Sequence, residues 1–324
     1  MQYKVSVIIP VYSAEKYIER CARSLFEQTL KEIEFVFVND CTPDRSMNIL
    51  QELISKYPNR ASDIIIINLP VNQGSAIARY EAIKHCHGEY ITQCDSDDWL
   101  ELIAYETMYN KAKQKNADVV ITDYYITDGK IKTLWNNKHS NDRNTWINDM
   151  LYIRTSWSVW NKLIRHTIYD RIQVYPKYSM GEDSVMVLQM AYYCTRVSYT
   201  DYPLYYYYQN PNSIVNSPSK KSQLRKFREA VSNSQIILEF YQNKPDYKIF
   251  AHGLNYFCYH AKSLILPLIE NKKYRLLWRS TFPMAERKII SDLNSPCKDR
   301  IKSLLSIIGL YPWLTKRLGI TKCI

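Results

Sequence analysis

The chain opens on an almost unbroken apolar run, VSVIIPVY at Val5 to Tyr12, halted by Pro10. A run without alternation reads as a strand buried on both faces. In AEKYIERCARSLFEQTL, Tyr17, Ile18, Cys21, Ala22, Leu25 and Phe26 recur at spacings of three and four, which places them on one face of a helix. The pattern returns to strand at IEFVFVND (Ile33 to Asp40), then to a helix near Ser46 to Tyr57 and the strand IIIINL (Ile64 to Leu69). A helix near Ser75 to His85 follows, and then EYITQ (Glu89 to Gln93), which runs directly into CDSDDW. Strands alternating with helices of this length predict βαβ units, right-handed crossovers and a parallel sheet. Ligands of such sheets sit beyond the carboxyl ends of the strands. Pro10 to Tyr12, Asn39 to Asp44, Asn72 to Gly74 and Asp95 to Asp98 all fall on that edge.

From Asp118 the pattern turns antiparallel: DVVITDYYIT, a DGK turn, IKTLW, and later the tyrosine strand LYYYYQ at Leu204 to Gln209. After Pro218 the chain reads as helices rich in Lys, Leu, Ile and Tyr, so a division is expected near residue 215, giving regions 1–215 and 216–324. Charge changes there too. Of the net +11, residues 219–324 hold +13 and residues 1–218 hold −2. A basic helical region carrying tryptophan and tyrosine suits either a solvated face or an anionic membrane surface.

Composition removes several classes. With 324 residues and 46% apolar positions the chain can bury a normal core. Eight cysteines without a C-x-x-C pair or companion histidines read as reduced cytosolic thiols rather than a zinc site. MQYK leading into a strand is not a signal peptide, and SLLSIIGLYPWL (Ser303 to Leu314), broken by Pro312, falls short of the ~20 residues that span a bilayer. The expected location is therefore cytoplasmic, peripheral at most to the inner face of the membrane.

Asp95, Asp97 and Asp98 stand within four positions at the end of a buried strand. Carboxylates spaced i and i+2 point to one side, so Asp95 and Asp97 can converge on one ligand, and hard oxygen donors of this kind suit Mg²⁺ or Mn²⁺ bound to phosphate oxygens. The alternative is a solvated loop in which Asp98 caps a helix beginning near Trp99. No G-x-G-x-x-G follows the first strand and no G-x-x-x-x-G-K-[ST] occurs, which argues against a dinucleotide enzyme and a P-loop.

VSVIIPVYSAEKYIERCARSLFEQT, EFVFVNDCTPDRS, NQGSAIARYEAIKHCHGEYITQCDSDDW, VWNKL and GEDS, in this order over about the first 215 residues, resemble the family 2 glycosyltransferases. The resemblance implies a GT-A fold: a Rossmann-like α/β domain with a mostly parallel central sheet flanked by helices, here with a C-terminal helical extension. It implies an inverting enzyme that uses a nucleotide-sugar donor and works on bacterial capsule, O-antigen or exopolysaccharide glycans, with an acceptor carried on a polyprenyl diphosphate. Carried onto this sequence, Pro10, Val11 and Tyr12 flank the base, Asp40 accepts from a uracil-like N3–H, and Asp95 holds the ribose. Gly74, Arg79 and Ser96 join the nucleotide site, and Asp97 coordinates Mn²⁺ or Mg²⁺ on the donor diphosphate. Asp183, beside Glu182, removes the proton of the acceptor hydroxyl. Trp157, Trp160, Asn161 and Lys162 are acceptor-side candidates, although the tryptophans also suit a core; the acids of GEDS also suit a helix N-terminus, and a helix start can present a base.

Some positions depart from the commoner family pattern: Asn39 stands where aspartate is frequent, Cys41 where glycine is, and Pro43 where Ser or Thr is usual. Because a cysteine adopts positive φ only at a cost, the loop after Asp40 is expected to take another shape. A nucleotidyltransferase would share nucleotide and metal but attack phosphorus, and the Gly-rich basic loop it uses is missing. A non-catalytic nucleic-acid binder reached through the basic region is the other rival, and no basic recognition motif supports it.

Overall fold

The computed structural model describes residues 3–136, 140–210 and 219–311. The opening alternation is realised as β1 (Val5–Val11), α1 (Ile18–Phe26), β2 (Ile33–Asn39), α2 (Ser46–Ile54), β3 (Ile64–Asn68), α3 (Ser75–Ile83) and β4 (Tyr90–Gln93). There follow β5 (Trp99–Leu100), α4 (Ala104–Lys115), β6 (Val119–Ile121), β7 (Tyr124–Thr127), β8 (Lys132–Trp135) and α5 (Arg143–Leu151). Then come β9 (Lys162–Arg165), α6 (His166–Tyr169), α7 (Glu182–Tyr193), β10 (Val197–Tyr199) and β11 (Tyr205–Tyr208). The C-terminal region holds α8 (Lys220–Gln242), α9 (Tyr247–Ser263), α10 (Lys272–Ser280), α11 (Pro283–Ser291) and α12 (Cys297–Ile307).

Seven strands form one sheet in the order β10-β6-β9-β4-β1-β2-β3, parallel except where β9 runs against β4 and β6. Its centre is β1 and β2, paired from Val5↔Ile33 to Val11↔Asn39 and fully buried apart from Pro10 and Asn39. Phe26 of α1 meets Phe35 and Phe37 of β2 edge-on, the favoured aromatic geometry. The second sheet, β5-β11-β7-β8, carries the tyrosine strand and the hairpin closed by DGK.

Two expectations change. Pro10 does not stop β1, which continues to Val11. Cys94 N donates to Ile8 O and Asp40 N to Val11 O, so alternate residues face β4 and β2. The missing N–H of Pro10 therefore faces the β4 side, where the ladder has ended at Gln93, and no bond is lost. Nor does a helix begin at Trp99: Trp99 and Leu100 pair antiparallel with Tyr206 and Tyr205, and α4 starts only at Ala104.

The chain divides into two compact units, residues 1–146 with 156–213, and residues 147–155 with 214–324. The second has its own core, with Phe227, Tyr256, Tyr259, Trp278 and Ile289 buried together. Inside it the Lys262 ammonium donates to Glu286 and lies over the Trp278 ring, whose Nε1 donates to the same carboxylate. Among the described residues no helix is long and apolar enough to cross a membrane.

Candidate active site

The carboxyl ends of β1, β2 and β4 lie side by side, so the residues that follow each strand share one edge. After β1, Val11 is buried in the core while Tyr12 is 48% exposed. After β2, Asp40 is buried, and its carboxylate accepts from the backbone N–H groups of Gln73 (2.7 Å) and Gly74 (2.8 Å). These partners differ from the base edge that the resemblance implies: Asp40 shapes the loop leading into α3. Gly74 stands at the start of that helix with φ +87°, a left-handed backbone that glycine takes without strain. Cys41 also sits at positive φ, +52°, so the loop keeps the turn that was expected to be lost. Beside it Asn39 accepts from Thr42 N, and Asp44 takes the Thr42 and Ser46 hydroxyls, which brace the loop.

The three acids after β4 have three different surroundings. Asp95 accepts from Arg79 at 2.6 Å, and its backbone N–H donates to the Tyr205 hydroxyl. Asp97 accepts from the Asn210 side chain at 3.0 Å; burial, and then the charge of Asp95, push its carboxyl up to about 6. Asp98 is fully buried and takes the Tyr205 hydroxyl and the Tyr208 N–H, each at 2.7 Å. It is therefore the anchor that fastens the acid loop to β11, not a helix cap. Ser96, half-buried, lies between the two outer acids. Arg20 completes this side: its guanidinium lies 3.7 Å from the Trp99 ring and donates to the Asp97 carbonyl.

Arg79 of α3 joins this cluster to a segment a hundred residues away. One guanidinium nitrogen reaches Asp95, and the other reaches Glu182, with Asp183 3.8 Å distant. Burial alone would lower the pKa of Arg79, but Glu182, Asp95 and Asp183 outweigh it and hold the charge firmly in place. Glu182 also takes the Ser75 hydroxyl at 2.8 Å; burial pushes its carboxyl up to about 7, against the pull of Arg79. Asp183 is raised by burial and by Asp95, and lowered by Arg79, Lys162 and the N–H of Val159. Glu182 and Asp183 open α7 after Gly181, so the helix N-terminus adds its own positive end to their surroundings. A narrow cleft runs past Arg79, Tyr80, Gln93, Tyr175, Glu182 and Asp183. Within it Glu182 Oε2 and Arg79 Nε are buried without a partner among the described residues, an arrangement that native proteins reserve for a ligand or water.

The WNKL residues are placed differently. Trp160 is 7% exposed and stacked on Tyr205 and Tyr207. Asn161 is buried and donates to Thr122 O. The Lys162 ammonium, also buried, donates to Ser158 O (2.6 Å), Asn161 Oδ1 (2.8 Å) and Ser156 O (3.1 Å). Burial lowers its pKa to about 7 while Asp183 pulls the other way. These side chains spend their hydrogen bonds inside the protein, holding the 156–161 loop, so their acceptor-side assignment gives way to a supporting one. Trp157, half-buried on that loop, keeps its place among the acceptor candidates.

Arg20, Ser75, Tyr205 and Asn210 belong to the site and had no signal in the sequence. Their partners lie between 77 and 113 residues away, except that Tyr205 and Asn210 fall in and just after the tyrosine strand.

The mixed, mostly parallel sheet with its flanking helices and the helices that follow it are the GT-A fold of its structural matches. The chain belongs to glycosyl transferase family 2, whose model matches residues 6–181. It is 30% identical over 284 residues to the glycosyltransferase EpsJ of Bacillus subtilis strain 168, covering 81% of this chain and 77% of that one. Among solved structures it matches S. aureus TarS 1-349 in complex with UDP-GlcNAc, with a TM-score of 0.75, 21% identity, and 98% and 92% of the two chains covered. The mannosyltransferase PcManGT from Pyrobaculum calidifontis, in complex with GDP-Man and Mn²⁺, matches with a TM-score of 0.52 and 13% identity, covering 97% and 87%. At these identities the two structures speak for the fold.

Proposed function

We propose that the protein transfers a sugar, with inversion at the anomeric carbon, from a UDP-sugar to a hydroxyl of a lipid-linked glycan in bacterial surface polysaccharide synthesis. The observation that carries this reading is the Arg79 bridge, one guanidinium that pairs with Asp95 after β4 and with Glu182 at the start of α7. In-line displacement needs a base on the face opposite the leaving diphosphate, and two separate segments can supply the two sides. A likeness to the poly(ribitol-phosphate) beta-glucosyltransferase of Bacillus spizizenii, 38% identical over 132 residues, supports the surface-polymer setting, and the UDP-GlcNAc of TarS supports the choice of nucleotide.

Tyr12 covers the base and Pro10 and Val11 form the floor beneath it, while Asp40 acts through the Gln73–Gly74 loop that it holds. Asp95 and Ser96 take the ribose side. Asp97 would hold a divalent cation, Mn²⁺ or Mg²⁺, which when bound supplies positive charge to the departing diphosphate. The residues fit such a group: Asp97 stands against Asp95 in a partly buried site that raises its pKa to about 6, and a cation relieves that repulsion. Among the described residues no three His, Cys, Asp or Glu side chains gather to hold a metal, so Asp97 would be one protein ligand to a cation whose other positions would be open to diphosphate oxygens and water. Asp183 accepts the proton of the acceptor hydroxyl; its raised pKa makes it a stronger base than a solvated aspartate, and the N–H of Val159 orients it. Glu182 fixes Arg79, and Trp157 offers a ring face to the acceptor sugar. The transfer region is 1–215 and the basic region 216–324 serves docking, which puts the enzyme at the cytoplasmic membrane face near a polyprenyl diphosphate.

Titration calorimetry with UDP, GDP and CDP, with and without Mn²⁺, tests the reading on the wild type and Asp97→Asn. UDP binding that needs Mn²⁺ in the wild type and loses that dependence in the variant supports it. Absence of nucleotide binding in both conditions refutes it.

A further inference from the structure

Helix α12 is built inside out. Its buried positions are Ser303 and Ser306, while Ile301 (52%), Leu304 (47%) and Ile308 just past its end (55%) are exposed. At 100° per residue the three apolar side chains lie within about 60° of one another, a single stripe on the solvent side. Leu305 packs against the core of this unit, and polar bonds fix the inward side: Ser303 donates to Glu286 O, and Asp299 accepts from the Tyr256 and Tyr259 hydroxyls through its side chain and carbonyl. The orientation is therefore set by specific partners and is not a loose packing of a short helix. Lys298 and Lys302 lie on one side of the stripe, Lys302 3.6 Å from Asp299, and Arg300, whose Nε donates to Ile290 O, lies on the other.

A stripe of three large aliphatic side chains in water costs free energy unless something covers it. A second copy of the chain would bring two basic rims together, within a region of net +13, and like charges would oppose the contact. An apolar stripe between basic flanks is the arrangement that lies in a bilayer interface, apolar side chains among the acyl chains and cations at the phosphates. We infer that the outward face of α12, through Ile301, Leu304 and Ile308 flanked by Lys298, Arg300 and Lys302, docks the protein on an anionic phospholipid surface. The inference rests on the membrane setting proposed above and not on the transfer chemistry.

The test is sedimentation of the full chain with vesicles of phosphatidylcholine alone and of phosphatidylcholine with phosphatidylglycerol, for the wild type and the double variant Leu304→Asp/Ile308→Asp. The expected result is binding to the phosphatidylglycerol vesicles that weakens at high salt and falls at least about tenfold in the variant. Both positions are exposed, so the variant should keep its fold, and an unchanged melting curve and UDP affinity establish that it does. Wild-type protein that stays in the supernatant, or binding that the variant retains, overturns the inference. Concentration-dependent self-association in light scattering, lost in the variant, also overturns it and assigns the face to a second copy. Nucleotide binding without vesicle binding separates failure of this inference from failure of the transfer reading.

Discussion

Replacing Asp97 by Asn should make the free protein more stable while removing the cation dependence of donor binding. The Asp97 carboxyl is raised from 3.8 to about 6 by burial and by Asp95. At ~1.36 kcal/mol per pH unit, holding it ionised in the fold costs about 3 kcal/mol. Because the folded pKa lies above the unfolded one, the folded state binds the proton more tightly. Wild-type stability therefore falls as pH rises from 3.8 to about 6, and the whole penalty is present above that. Asparagine carries no such penalty and keeps an oxygen for the Asn210 amide. The expected gain is about 3 kcal/mol near roughly pH 7.5 and about half of that near roughly pH 5. Urea unfolding of the metal-free chain followed by tryptophan fluorescence at the two pH values measures it, since Trp99 stacks beside the acid loop. A variant no more stable than the wild type at the higher pH, or a gain as large at the lower one, would refute the reasoning. Stability stored against function in this way is what a preorganised ligand site requires.

Lys162→Met takes the ammonium away from the buried Ser158 O and from Ser156 O and leaves Asn161 Oδ1 with the Ser158 hydroxyl alone, and should cost about 2 kcal/mol in a urea titration; a loss below about 0.5 kcal/mol would deny the lysine its supporting role. Gly74→Ala forces a side chain into φ +87° with its Cβ 3.1 Å from Ser179 Oγ, so melting should reveal a loss of about 1 kcal/mol or more, with weaker nucleotide binding in calorimetry. Asp183→Asn should slow sugar transfer by a factor on the order of 10²–10⁴ with donor affinity unchanged, read as nucleoside diphosphate release against calorimetric titration; equal turnover would remove Asp183 from the base role.

The alternation of strands and helices, and the residues that follow each strand, were legible because both are local. Continuous apolar runs in β1 and β2 demand burial on two faces, and the acids after β4 stand directly beyond the last buried residue. The exposed Tyr12 and the clustered Asp95 and Asp97 could be placed on the ligand edge from that alone. Which acid does what was not local. Asp98 looked like a cap and is an anchor, because Tyr205 and Tyr208 reach it from β11. That Asp40 also clasps the loop before α3, which turns two N–H groups toward it, could not be read from its position after β2.

By itself the sequence determined the alternation of elements, the parallel core and the carriers of negative charge, since periodicity and the residues after each strand act over a few positions. The tertiary structure decided how those charges are paired. The resemblance puts Arg79 in the nucleotide site, but its bridge to a second acid pair exists only because α7 brings Glu182 and Asp183 within its reach. The outward stripe of α12 is equally invisible from its spacing, which reads as an ordinary core face. The helix turns it outward because Asp299 and Ser303 find their hydrogen-bond partners on the inner side. Apolar periodicity says that a helix has an apolar face, and only the partners on its other face say which way that face is turned.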